Sequence, residues 1–237
     1  MTESTKSRRK RFVRNWTKKK TAIAVLAAAL LIFAFLWEAK VERSDRIGDY
    51  PQPSRREEVQ HALDGLYWIT QDYLPINRHS RPGIRLYETN AIVIHYVANP
   101  MTKAWQNRSF FAGLAITEET FASSNFIICL DGYIIQCVPV YEIAYASNHR
   151  NSDTISIEMC HPDTTGRLTA YTYAAAVRLT AWLCYMFDLT ADDVIRHYDV
   201  TGKICPRYFV ENEDSWESFK AAVAREISRL NAESAAE

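Results

Sequence analysis

Ala91-Ile92-Val93-Ile94-His95-Tyr96-Val97 is the run whose reading decides the fold. It is β-branched, of strand length and apolar on both faces, as expected of a strand inside a sheet covered on both sides. Working outward, Asn125 to Cys137 reads as a hairpin turning at Asp131-Gly132. Asp153 to Cys160 alternates strongly enough for another strand, with Ile155, Ile157 and Met159 on one face and Ser156, Glu158 and Cys160 on the other. Helices are expected over Glu57–Tyr73, 104–115, Thr169–Leu189 and from an Asp214 N-cap through Trp216, Phe219, Val223, Ile227 and Leu230. The sum is an α/β fold, a central mixed β-sheet flanked by helices.

The balanced charge of the 237-residue chain hides an asymmetry. Residues 1–20 hold nine Lys/Arg against Glu3, which leaves nineteen basic and twenty-seven acidic residues from position 21 onward. A nucleic-acid partner for the acidic remainder is therefore not expected. Residues 21–37 carry no charge and end in Trp37; as a helix they would span roughly 25 Å, at the short end of a bilayer crossing. A cleaved signal peptide would need small residues before the cut, but Leu36, Trp37 and Glu38 follow the apolar run. The expected order is a basic cytoplasmic tail (1–20), a single-pass signal-anchor (21–37), an extracytoplasmic linker (38–54) and a catalytic domain (55–232).

His197-Tyr-Asp-Val-Thr-Gly-Lys203-Ile-Cys205-Pro206 sets a histidine and a thiol eight residues apart behind Val194-Ile195, and His95 closes a second apolar run. Two imidazoles and a thiolate make a three-ligand zinc set with the fourth tetrahedral position left for water. No second CxxC or HxxxH pair is present to close the site, so the pattern points to chemistry rather than to a structural metal. Glu158, a carboxylate on a strand with both faces covered, is a candidate proton carrier. Lys203 would put a cation where an oxyanion develops.

The other cysteines read as unpaired. Joining Leu130 to Tyr133 in the hairpin sets Cys129 and Cys137 on opposite faces, and Cys160 and Cys184 lie in apolar segments as buried thiols.

His95 after Ile-Val-Ile, Asn125-Phe-Ile-Ile before Asp131-Gly132, Asn151 with Ser156-Ile157-Glu158, and His197-Tyr-Asp…Lys203-Ile-Cys205-Pro206 together resemble the type 2 family of zinc-dependent N-acetylmuramoyl-L-alanine amidases. The family includes phage lysozymes and peptidoglycan-recognition proteins, and the likeness covers roughly residues 80–230. It implies zinc held by His95, His197 and Cys205, with Glu158 and Lys203 as the catalytic pair. Asn125, Tyr145 and Asn151 are the implied substrate contacts. The implied reaction is hydrolysis of the amide between N-acetylmuramic acid and L-alanine in peptidoglycan. The rival is a non-catalytic peptidoglycan-binding or sensing module of the same fold; such modules usually lack a ligand, and here all three are present. One departure stands out: Ala144-Tyr145-Ala146-Ser147 occupies the place of a histidine-containing segment common in the family. His149 and His161 are then non-ligands. A monomer at a bacterial cell membrane, Gram-positive and facing the wall, completes the expectation.

Overall fold

The computed structural model describes residues 54–236. The expected tail, signal-anchor and nearly all of the linker lie outside the described residues. Among the described residues no helix is long and apolar enough to cross a membrane.

Six strands form one mixed sheet in the order β1-β4-β3-β5-β2-β6. They are β1 (Ile69–Gln71), β2 (Ala91–Tyr96), β3 (Phe126–Ile128), β4 (Ile134–Gln136), β5 (Thr154–Met159) and β6 (Val194–Arg196). β3, β5, β2 and β6 run parallel, β4 runs antiparallel to β3, and β1 is parallel to β4. Residues 91–95 are all buried, as two covered faces require.

The helices are α1 (Arg55–Asp64), α2 (Ala104–Thr117), α3 (Ala170–Phe187), α4 (His197–Thr201), α5 (Arg207–Glu211) and α6 (Glu213–Ser234). The larger core lies on the face that carries Ile155, Ile157 and Met159, against α1, α3 and α6, where Leu179, Leu183, Trp216 and Phe219 pack. The opposite face holds a smaller cluster of Ile127, Ile135 and Phe111 under α2. Beyond that cluster the second face is open, and there the site forms.

Local chemistry sets the element ends. Ser54 and Glu57 cap α1 reciprocally: Ser54 N–H donates to Glu57 Oε2 at 2.7 Å and Glu57 N–H to Ser54 Oγ at 3.4 Å. Gly65 ends that helix, so the helix expected through Tyr73 is shorter, and the following residues pair as β1 instead. Thr169 caps α3 by accepting from Thr172 N–H at 3.0 Å, while its hydroxyl donates to Leu130 O at 2.7 Å and ties the helix to the hairpin turn. The cap of α6 is Asn212 rather than Asp214, and the helix runs two residues past the expected domain end.

The hairpin register also differs from expectation. Cys129 N–H donates to Tyr133 O at 2.8 Å, so the loop is the three residues Leu130-Asp131-Gly132, with Gly132 at φ +84. A three-residue loop closing on a left-handed glycine is the common alternative to a two-residue turn. Ile128 therefore faces Ile134, and Cys129 and Cys137 fall on the same side, both in the smaller cluster. All five cysteines are unbridged, as expected, although the reasoning from opposite faces does not hold.

Candidate functional site

The site sits at the carboxyl ends of β5, β2 and β6, where open α/β sheets place their ligands. His95 is the fifth residue of β2 and pairs laterally with Glu158 of β5. In a parallel pair such neighbours project from the same face. His197 begins α4 directly after β6. Gly202, at φ +77, ends that helix and turns the chain back, so that Tyr198 N–H donates to Cys205 O at 2.9 Å. Arg196 anchors this segment from below. Its guanidinium, 9% exposed, pairs with Asp199 and Glu213, donates to Phe209 O and lies over Trp216.

The result is a convergence of donors. One ligand atom from each of His95, His197 and Cys205 lies within 4.8 Å of the others, and all three residues are buried. Cys205 Sγ is 3.8 Å from His95 Nδ1, and the two imidazole centroids are 4.7 Å apart. Tetrahedral zinc with ordinary Zn–N and Zn–S bonds needs about 3.3–3.6 Å between donor atoms, so a small closure completes the geometry. The outer ring nitrogens are occupied: His95 Nε2 meets Ser147 Oγ at 3.2 Å and His197 Nε2 meets Asn148 Oδ1 at 2.8 Å.

The protonation states suit a cation. Burial, then the neighbouring His197 and Lys203, holds His95 well below its usual pKa; burial and Lys203 lower His197 as well. Both rings are thus neutral, which is the ligating form. Burial, followed by Glu158, pushes the Cys205 thiol up to about 12, against a backbone N–H donated by Tyr96 and the charge of Lys203. Only a cation held between these groups would turn that thiol into a thiolate near neutral pH. The donor set therefore fits zinc.

Glu158 stands beside the donors. Its Oε2 is screened from solvent and has no hydrogen-bond partner, and burial raises the carboxyl to about 7 against a smaller opposing pull from Lys203. Lys203 is exposed at the mouth of the cleft, with no ion pair among the described residues. The cleft measures about 470 Å³, and Tyr96, Phe111, Phe121 and Tyr145 add aromatic wall to the donors, Glu158 and Lys203.

Of the expected substrate contacts, Tyr145 and Asn151 line the cleft and Asn125 does not. Asn125 is fully buried. Its Oδ1 accepts from Ser156 N–H and Ser156 Oγ, both at 3.0 Å, and its amide nitrogen donates to Val138 O and Pro139 O. It stitches β3 to β5 and has no group left to offer a substrate. Asn151 also faces inward: Oδ1 accepts from Ala146 N–H at 3.1 Å and Ser147 N–H at 2.6 Å, and so shapes the loop in front of it. His149 is exposed, and His161 lies tilted against the Tyr96 ring with Nδ1 on Asp163 O; neither joins the donors. Sequence reasoning missed Ser147 and Asn148. A polar pair at the end of the stretch that departs from the family pattern was the available signal.

The family model for N-acetylmuramoyl-L-alanine amidase (Amidase_2) matches residues 85–208, more than half of the chain. A probable N-acetylmuramoyl-L-alanine amidase of Bacillus licheniformis is 29% identical over 174 residues, 68% of this chain and 48% of that protein. The amidase CwlL of the same organism is 30% identical over 167 residues, 65% of this chain and 46% of its own length. The chain thus spans about half the length of these curated relatives. Among solved structures, the catalytic domain of XlyA superposes with a TM-score of 0.55 at 26% identity, covering 65% of this chain and 98% of that one. The matched span contains the three donors, Glu158 and Lys203, and the chain belongs to the N-acetylmuramoyl-L-alanine amidase family.

Proposed function

We propose that this domain is a zinc-dependent hydrolase that cuts the amide between the lactyl group of N-acetylmuramic acid and the L-alanine of the stem peptide. The observation that carries the reading is the meeting of His95, His197 and Cys205 beside a half-buried carboxylate, Glu158, whose Oε2 is screened and unpartnered, in one open cleft. The names borne by the relatives support the choice of bond. Zinc held by the three donors would supply a Lewis acid for the lactyl carbonyl and bring the pKa of water toward ~7.

The chain's own groups do the rest. Glu158, raised toward neutrality, takes the proton of the attacking water and returns it to the L-alanine nitrogen as the C–N bond breaks. Lys203 offsets the charge that develops on the carbonyl oxygen. The aromatic residues of the wall exclude water around the reacting amide. We also read residues 21–37, after nine basic residues, as a membrane anchor that holds a monomeric domain outside the cytoplasm against the wall of a Gram-positive cell.

Mass spectrometry of wall digests tests the reaction. The expected products are a free lactyl carboxylate on the glycan and a new L-alanine amino terminus on the peptide. Cleavage between stem-peptide residues, or binding without release, would overturn the assignment.

A further inference from the structure

One connection supplies a partner to both imidazoles. It links β4 to β5 over residues 137–153 and presents Ser147, the last residue of the segment that departs from the family pattern, and Asn148 directly after it. We propose that Asn148 is a positioning residue that fixes His197 as the Nε2–H tautomer and thereby presents Nδ1 as the metal donor. The inference rests on the zinc reading given above.

A neutral imidazole has one N–H and one lone pair, and an amide oxygen can only accept. The 2.8 Å contact from His197 Nε2 to Asn148 Oδ1 therefore puts the ring proton on Nε2 and the lone pair on Nδ1. The inner nitrogen of His95 is likewise Nδ1, since it is that atom which meets Cys205 Sγ while Nε2 meets Ser147 Oγ. His197 would then offer the same atom as His95, and the Nε2 atoms of the two rings meet consecutive residues. Ligating histidines elsewhere are oriented in this way by a hydrogen bond at the far ring nitrogen.

The loop is built to hold this position before any ligand arrives. Asn148 has φ +54, a left-handed conformation that asparagine adopts more readily than most residues. Ser147 is 1% exposed, and its N–H and that of Ala146 are both held by Asn151 Oδ1. Asn151 fixes the loop, the loop fixes Asn148, and Asn148 fixes the ring.

The test uses the full-length chain with ¹⁵N-labelled histidine. Long-range ¹H–¹⁵N spectra of the metal-free protein are expected to show His197 protonated at Nε2. Zinc affinity is then measured by competition with a chromophoric chelator for wild type, Asn148→Gly and Asn148→Asp. Glycine tolerates the left-handed backbone but removes the acceptor, and is expected to weaken zinc binding by roughly 10–100-fold. Aspartate restores the acceptor and is expected to return most of that affinity. The melting temperature of the metal-free protein is expected to stay level across the three, which separates positioning from folding. A His197 proton on Nδ1 in the wild type, or unchanged zinc affinity in Asn148→Gly, would overturn the inference alone. A wild-type chain that takes up no zinc would overturn the zinc reading with it.

Discussion

His95 and Glu158 are lateral partners in the parallel pair of β2 and β5, so a metal donor and a proton carrier stand side by side on one face of the sheet. Their spacing is fixed by backbone hydrogen bonding rather than by loops. A one-residue slip of either strand would send one of the two side chains to the opposite face.

That placement has a thermodynamic consequence. The Glu158 carboxyl titrates near 7 in the folded, metal-free chain, against an ordinary value of 4.5, because burial disfavours its charge. The folded state therefore holds this proton more tightly than the unfolded state, and the associated stability is fully present below pH 4.5 and lost as pH rises through 7. The displacement corresponds to about 3 kcal/mol. Chemical denaturation of the metal-free protein at pH 5 and pH 8 is expected to show this loss in wild type and not in Glu158→Gln. An equal pH dependence in both would remove the account of Glu158.

With metal present the same substitution acts differently. Glu158→Gln keeps the shape of the cleft and all three donors but cannot accept a proton. Zinc content is expected to remain near one per chain while turnover on isolated walls falls by about 10²–10⁴-fold. Metal analysis paired with a release assay checks both halves.

Cys205→Ala removes the donor that carries charge. Wild type is expected to gain about 4 kcal/mol of stability with zinc at a thousand times its Kd, and Cys205→Ala to gain little. Melting curves with and without zinc decide the point.

Asn125→Ala separates a structural from a contact role. The substitution strands the Ser156 backbone N–H and two carbonyls inside the protein, at a cost of about 2–3 kcal/mol. The expected outcome is a lower denaturation midpoint with KM unchanged. A raised KM at unchanged stability would restore Asn125 to the substrate contacts.

The five thiols are expected to titrate as free in the unfolded, metal-free chain. In the native state Cys137, Cys160 and Cys184 are expected to resist alkylation, since burial raises each thiol, Cys160 and Cys184 to about 12. A mass shift of two protons per pair under non-reducing conditions would reveal a bridge.

What was legible in the sequence follows from how locally each feature is encoded. β2 and β5 could be read because burial on both faces, or alternation between faces, writes itself into consecutive residues. The three-residue strands β1 and β6 and the five-residue helices α4 and α5 have too few residues to show a period. The hairpin register turned on the backbone of Gly132, which composition does not reveal. Asn125 misled because a polar residue at the mouth of an apolar strand looks the same whether it serves a substrate or a neighbouring strand. His95, His197, Cys205 and Glu158 could be singled out together because few residue types suit such chemistry, and the fold brings the four to one cleft.

Nine consecutive residues, His197 to Cys205, carry two of the donors and the lysine on a single turn closed by the Tyr198–Cys205 backbone bond. Insertion or deletion of one residue inside that stretch would disable all three at once. A change of length there is therefore costlier than a change of side chain on the aromatic wall, where each residue is carried by a separate stretch of backbone.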